Sequence, residues 1–294
     1  MTATPTRWKK QLGTFLQQLR DKASKSAAEA AHLLRVAEST VSAYENGHVR
    51  PNWPAVQQLL QLYDATVGQR AEAETRWEEA GTKTKRVRMP ADAPKDLRKL
   101  VRSELEAAAV RVLSPVAIPG LLQTEPYMRA INMAGHRFLD PSAMDEYVKA
   151  RLNRQKRLAG PDSLRVHALI DEAAIRRVVG SRVIMRQQLG HLLEAGARPN
   201  VTIQVIPYEA GAYGPMAGLF MIVNYPDPKE SPGVYVEYLG GGDWVDNGGD
   251  VQRITTTFDD ASGFALTRSD SADLIRQQQR ALESNDKEHD VAQE

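Results

Sequence analysis

The most specific chemistry in the chain sits on one short segment. Glu38, Ser39 and Ser42 are the outward positions of a helix read over residues 39–45. Their donors and acceptors match the edges of base pairs in a DNA major groove, and Ala43 is small and apolar enough to meet a thymine methyl. Base reading of this kind requires a second helix packed closely behind the first. Ala30, Ala31 and Val41 are small apolar residues suited to that crossing. Lys22, Lys25, the Asn46 side chain and Arg50 lie at helix ends or adjacent loops, where phosphate contacts are made.

Other chemistry is thinly supplied. The chain has no cysteine, which removes disulfides, thiolate nucleophiles and cysteine-ligated metals together. The six histidines, at 32, 48, 136, 167, 191 and 289, show no metal-ligand spacing. Asp171 and Glu172 are the best carboxylate pair, but adjacent residues on a strand point to opposite faces. At a strand-to-helix junction one of them serves better as a helix cap. Asp243 and Asp246 follow the Gly240-Gly241-Gly242 turn, where acidic residues are common. No Gly-rich phosphate loop follows a strand in the required order. The expectation is a non-enzyme with no metal and no cofactor.

The elements that must position the reading helix are legible. Leu12, Phe15, Leu16 and Leu19 have helical spacing, and Ser26 with Glu29 forms a capping box that opens a second helix. Asn46-Gly47 stops the helix over 39–45, and Val56, Leu59, Leu60 and Leu62 supply a fourth. A fifth runs from Gln69 to Ala80. Further on, helices are expected over Leu97–Ala109, Glu125–Ala134, Ala143–Leu158, Val183–Glu194 and Ala272–Leu282. Strands are expected at Val110–Leu113, Leu164–Ile170, Val201–Ile206, Leu219–Tyr225 and Val234–Leu239.

At 294 residues the chain accommodates two domains, and 42% hydrophobic residues allow a sizeable core. The formal net charge of +1 hides an uneven distribution: residues 1–70 hold nine Lys/Arg against five Asp/Glu. A basic N-terminal third fits a phosphate-binding surface, the alternative being a merely solvated face. No apolar run approaches the ~20 residues that span a bilayer, and no secretory signal opens the chain. A cytoplasmic protein without membrane contact is expected.

The run Ser26–Ala31, then Ser39–Gly47 and Pro51, resembles the phage-repressor-type (xenobiotic-response-element, XRE) helix-turn-helix family. That resemblance implies an ion pair between Arg20 in the first helix and Glu45 before the Asn-Gly stop. Two positions depart from the family pattern: Arg35 stands where the turn often has Gly, and Ala37 where the recognition helix often has a Ser or Thr cap. The stretch Pro119–Tyr127, with Arg151–Gln155, His167–Ile175, Asn200–Pro207 and Val234–Glu237, is similar to a large actinobacterial family. In it a repressor-type helix-turn-helix precedes a C-terminal domain of unassigned activity. The resemblance implies a regulator, often encoded beside a small partner protein in an antitoxin-like arrangement.

Within the C-terminal part, Tyr213 and Met216 lie in a Gly-rich segment that reads either as the lip of a pocket or partner groove or as a plain connection. Arg151, Arg154 and Arg157 fall on roughly one helical face and either meet an acidic partner or are solvated. The expected fold class is α+β: an all-α helix-turn-helix domain over 8–80, a basic linker over 81–94, a mixed α/β domain with a central sheet over 95–284, and a disordered acidic tail over 285–294. The expected function is sequence-specific regulation of transcription, as repressor and homodimer on double-stranded DNA, with the C-terminal domain answering to a small partner or ligand. The alternative is an antitoxin-like protein that sequesters a partner encoded by an adjacent gene.

Overall fold

The computed structural model describes the backbone of residues 7–81, 93–135, 141–214, 216, 218–228, 230–238 and 241–291, and their side chains except at 7, 135, 141 and 284–291. Most of the expected linker over 81–94 lies outside these residues. The chain divides into two compact units, Met1–Lys85 and Arg86–Glu294.

The first unit is five helices: α1 (Arg7–Lys22), α2 (Ala27–Leu34), α3 (Glu38–Glu45), α4 (Trp53–Leu62) and α5 (Val67–Gly81). Leu12, Leu16 and Leu19 of α1, Ala30 and Ala31 of α2, Val41 of α3, and Val56, Leu59 and Leu60 of α4 close one apolar core. The helices begin where polar caps satisfy the first free N–H groups. Ser26 and Glu29 bond reciprocally at α2, and Asn52 caps α4 through the Ala55 amide. Gly13 allows α1 to lie directly against the end of α3: a Cβ there would stand 2.3 Å from the carbonyl oxygens of Tyr44 and Glu45.

The second unit wraps helices around a six-stranded mixed sheet in the order β3-β2-β1-β4-β5-β6. Its strands are β1 (Ala109–Ser114), β2 (Arg165–Asp171), β3 (Val201–Ile206), β4 (Phe220–Asn224), β5 (Gly233–Tyr238) and β6 (Gly241–Val245). β1, β2 and β3 are parallel, with Ser114 beside Ile170 and Asp171 beside Ile206. β4, β5 and β6 continue antiparallel. The helices are α6 (Lys95–Glu106), α7 (Glu125–Gly135), α8 (Pro141–Gln155), α9 (Glu172–Arg176), α10 (Arg182–Gly196), α11 (Gly248–Ser262) and α12 (Arg268–Val291).

Alternation along β2 explains the layering. Val166, Ala168 and Ile170 join one core with Met185, Leu189 and Leu192 of α10 and Ile275 of α12. Leu169 joins the opposite core with Val251, Phe258 and Ala261 of α11.

The α+β class expected from the sequence is thus the one observed. Three local expectations differ. The Gly-rich stretch read as a turn enters strand β6 at Gly241, so Asp243 sits on a strand. Helix α11 stands where no element was expected, because Gly248 and Gly249 and its three threonines disguise its first and middle turns. The segment expected as a disordered tail is helical as far as Val291.

Candidate nucleic-acid interface

α2, a three-residue turn and α3 place one face of α3 in solvent. Glu38, Ser39 and Ser42 are exposed and Ala43 is half-buried, while Val41 and Glu45 point inward. Three devices fix the presentation of this face. The first is the capping box at α2: Ser26 Oγ accepts from the Glu29 amide at 3.1 Å, and the Glu29 carboxylate accepts from the Ser26 amide at 2.8 Å. These bonds hold the Glu29 carboxyl below its usual range, with the Lys25 ammonium adding to the effect.

The second device is the turn itself. Arg35 ends α2 in the left-handed conformation, φ 54° and ψ 45°, and its amide bonds to the carbonyls of Ala31 and His32. This is the geometry for which glycine is usual. A bulky residue adopts it here, with the amide bonds closing α2 and the buried Ala30 and Ala31 anchoring the turn. Ala37 begins α3 with an extended backbone and no side-chain cap.

The third device is the ion pair implied by the helix-turn-helix resemblance. Arg20 donates to Glu45 through Nε at 2.6 Å and Nη2 at 3.1 Å, and Nη1 donates to the Lys25 carbonyl at 2.9 Å. The Glu45 hydrogen bond raises the Arg20 pKa. Together these contacts tie α1, the entry to α2 and the end of α3.

Ser42 is partly committed within its own helix: Asn46 Nδ2 donates to its carbonyl at 2.8 Å and to its Oγ at 3.2 Å. The hydroxyl proton remains available to an outside acceptor. The same bonds hold Asn46 against α3.

The expected phosphate contacts divide. Lys22 is exposed. Lys25 is half-buried and paired with Glu29 at 3.2 Å. Arg50 departs from expectation. Its guanidinium donates twice to the Trp77 carbonyl, at 3.0 and 2.7 Å, and lies 3.7 Å from the Trp77 ring centre. Trp77 Nε1 in turn donates to the Pro51 carbonyl at 2.8 Å. Arg50 therefore clamps the loop after α3 to α5, and a phosphate would have to displace these bonds. Arg35, exposed at the threshold of α3, is the cation that the sequence reading noticed only as a departure.

In the second unit, the arginines expected on an open helical face are turned inward. Arg154 donates through Nε and Nη2 to Glu104, both at 2.6 Å, with both side chains buried. Arg151 donates to Gln123 at 2.7 Å, and burial beside the charge of Arg154 brings its pKa down to about 10. Arg151 and Gln123 belong to a knot around Gly120–Leu122. There Gln123 Nε2 donates to the Ile118 carbonyl, Gln155 to the Gln123 carbonyl and Gln188 to the Leu122 carbonyl. The Thr124 amide donates to Gln188 Oε1 at 2.7 Å.

Tyr213 is buried and donates to Asp171 at 2.7 Å, and Met216 is exposed. Asp171 also caps α9 through the Ala173 amide, and Glu172 accepts from the Tyr208 amide and Arg176. A cavity of about 160 Å³ lies among α10, β3 and α12, walled by Leu192, Leu193, Ile203 and Ile275. Pockets for drug-sized ligands are larger, roughly 300–1,000 Å³. Among the described residues, no three His, Asp or Glu side chains gather as a metal site, and no helix is long and apolar enough to cross a membrane.

A compact helical unit with this exposed face and these caps is a helix-turn-helix domain, and residues 11–73 match a family described as a helix-turn-helix domain. Residues 97–277 match a domain of unknown function, DUF5753. This second match spans more than half of the chain, which therefore belongs to the DUF5753 family. No curated protein and no solved structure matches it.

Proposed function

We propose that the protein is a cytoplasmic, sequence-specific DNA-binding transcription regulator of the XRE type. It acts as a homodimeric repressor of the kind met in actinobacteria. The observation that carries this reading is the solvent face of α3. Glu38, Ser39 and Ser42 stand exposed on a helix locked from behind by Val41, Gly13 and the Arg20–Glu45 pair. That face offers donors and acceptors at base-edge spacing on a rigid support. The second unit supplies no chemistry in this reading and is not an enzyme. It responds to another molecule, a small protein partner or a ligand. The antitoxin-like variant of this role rests on the family resemblance.

Selection of genomic fragments with the full chain, followed by anisotropy titration at two salt concentrations, tests the proposal. The expected result is an enriched site whose affinity falls steeply with salt, with a log–log slope of about −0.9 per neutralised phosphate. Equal weak binding to every fragment would remove the reading. Replacing Ser39 and Ser42 by Ala should relax sequence preference with the fold intact.

A further inference from the structure

The carboxyl edge of the second unit's sheet carries exposed apolar side chains strand after strand. Val116 follows β1, Val178 follows β2 and α9, Tyr208 follows β3, Met216 precedes β4 and Tyr238 ends β5. Register brings the strand ends that these residues flank to one edge: Leu113 pairs with Phe220, Phe220 with Val236, Ser114 with Ile170 and Asp171 with Ile206. The Tyr213–Asp171 bond ties the segment before β4 to the same edge. Scattered surface hydrophobics are ordinary, but a row of them along one edge marks an interaction surface.

The charges at this edge separate along the strand order. On the β2–β3 side, Arg177 and Arg182 are exposed on either side of Val178, and Glu209 is exposed after β3. Arg176 there is already tied to Glu172. On the β5–β6 side, Glu237 and Asp243 are exposed. Glu237 faces Arg151 and Arg154, whereas Asp243 accepts from the Tyr238 hydroxyl at 3.3 Å. The centre of the sheet order falls between β1 and β4. A twofold axis through that centre lays the basic half of one edge on the acidic half of another, which is the self-complementarity a closed dimer needs.

We propose that this edge is where a second copy of the chain docks, with Arg177 and Arg182 of one copy facing Asp243 of the other. The inference deepens the homodimer within the DNA-binding reading and rests on it for its use, since paired reading units need paired chains.

Sedimentation of the full chain tests it with a charge swap. Wild type should sediment as a dimer, whereas Arg177→Glu/Arg182→Glu alone and Asp243→Arg alone should each show half that mass. An equal mixture of the two variants should return to the dimer mass, because both contacts are restored in the mixed pair. A monomeric wild type, variants that stay dimeric, or a mixture that stays monomeric overturns the proposal. Circular dichroism checks that the variants fold; should either fail, Met216→Lys at the exposed edge replaces it and is expected to halve the mass. Anisotropy on the selected DNA site separates the two ideas. Site-specific binding by a monomeric wild type removes the interface and keeps the DNA reading, and a dimer restored by the swap that selects no DNA does the reverse.

Discussion

Arg35 occupies the left-handed turn between α2 and α3 at a cost that Gly would not incur. For an L-residue that conformation costs roughly 1–2 kcal/mol, against about 0.5–1 kcal/mol of extra chain entropy for Gly. Arg35→Gly should therefore raise the unfolding midpoint of the first unit slightly. Three of the four tryptophans, Trp8, Trp53 and Trp77, lie in that unit, so with Trp244 replaced by Phe tryptophan fluorescence follows it. A lower midpoint would show that the Arg35 side chain contributes more than its backbone costs. Ala37→Ser supplies a cap where the backbone is already extended, and should add about 1 kcal/mol in the same assay. Arg50→Ala should lower the midpoint, because it empties the clamp on Trp77, while leaving the salt slope of DNA binding unchanged. A slope smaller by about one would return Arg50 to the phosphate contacts. Acid acts at the α2 cap. Because the folded-state pKa of Glu29 is depressed, its stabilising contribution is present above the ordinary carboxylate range and is lost as pH falls through the depressed value.

At the scale of elements, local signals were read well and distant pairings were not. The α2 cap, the Asn46-Gly47 stop and the parallel strands β2 and β3 follow from spacing within a few residues. Arg50 finds Trp77 27 residues on, and Arg154 finds Glu104 50 residues back. Neither pairing leaves a periodic trace, so both arginines read as surface cations. Helix α11 was missed for the converse reason: its buried Val251, Phe258 and Ala261 follow a glycine pair and are separated by threonines. Of the interface, the α3 residues were legible, while the Gly13 contact that supports them depends on a packing distance. Element pairing also makes a prediction. Arg154→Leu strands the Glu104 carboxylate in the core of the α6–α8 contact and should cost roughly 3–5 kcal/mol in urea unfolding. Adding Glu104→Leu should recover most of that loss.

The whole molecule joins a small reader to a sheet domain of more than twice its length. A reader of one half-site makes few contacts, so useful specificity requires two copies on one DNA. If two copies bind together, half-sites should lie about one helical turn, roughly 10–10.5 bp, apart. Inserting about half a turn between them should abolish tight binding, and inserting a full turn should restore part of it. Binding indifferent to such insertions would mean that each copy reads independently.

Apart from the Arg151 guanidinium, the glutamine knot around Gly120–Leu122 is built from neutral amides: Gln123, Gln155 and Gln188 bond to backbone carbonyls, and the Thr124 amide bonds to Gln188. Amides neither titrate nor gather counterions. Concentrated salt that strips the protein from DNA should therefore leave this part of the second unit assembled. The protein can then be eluted from a DNA column with any partner that is held there by apolar contact.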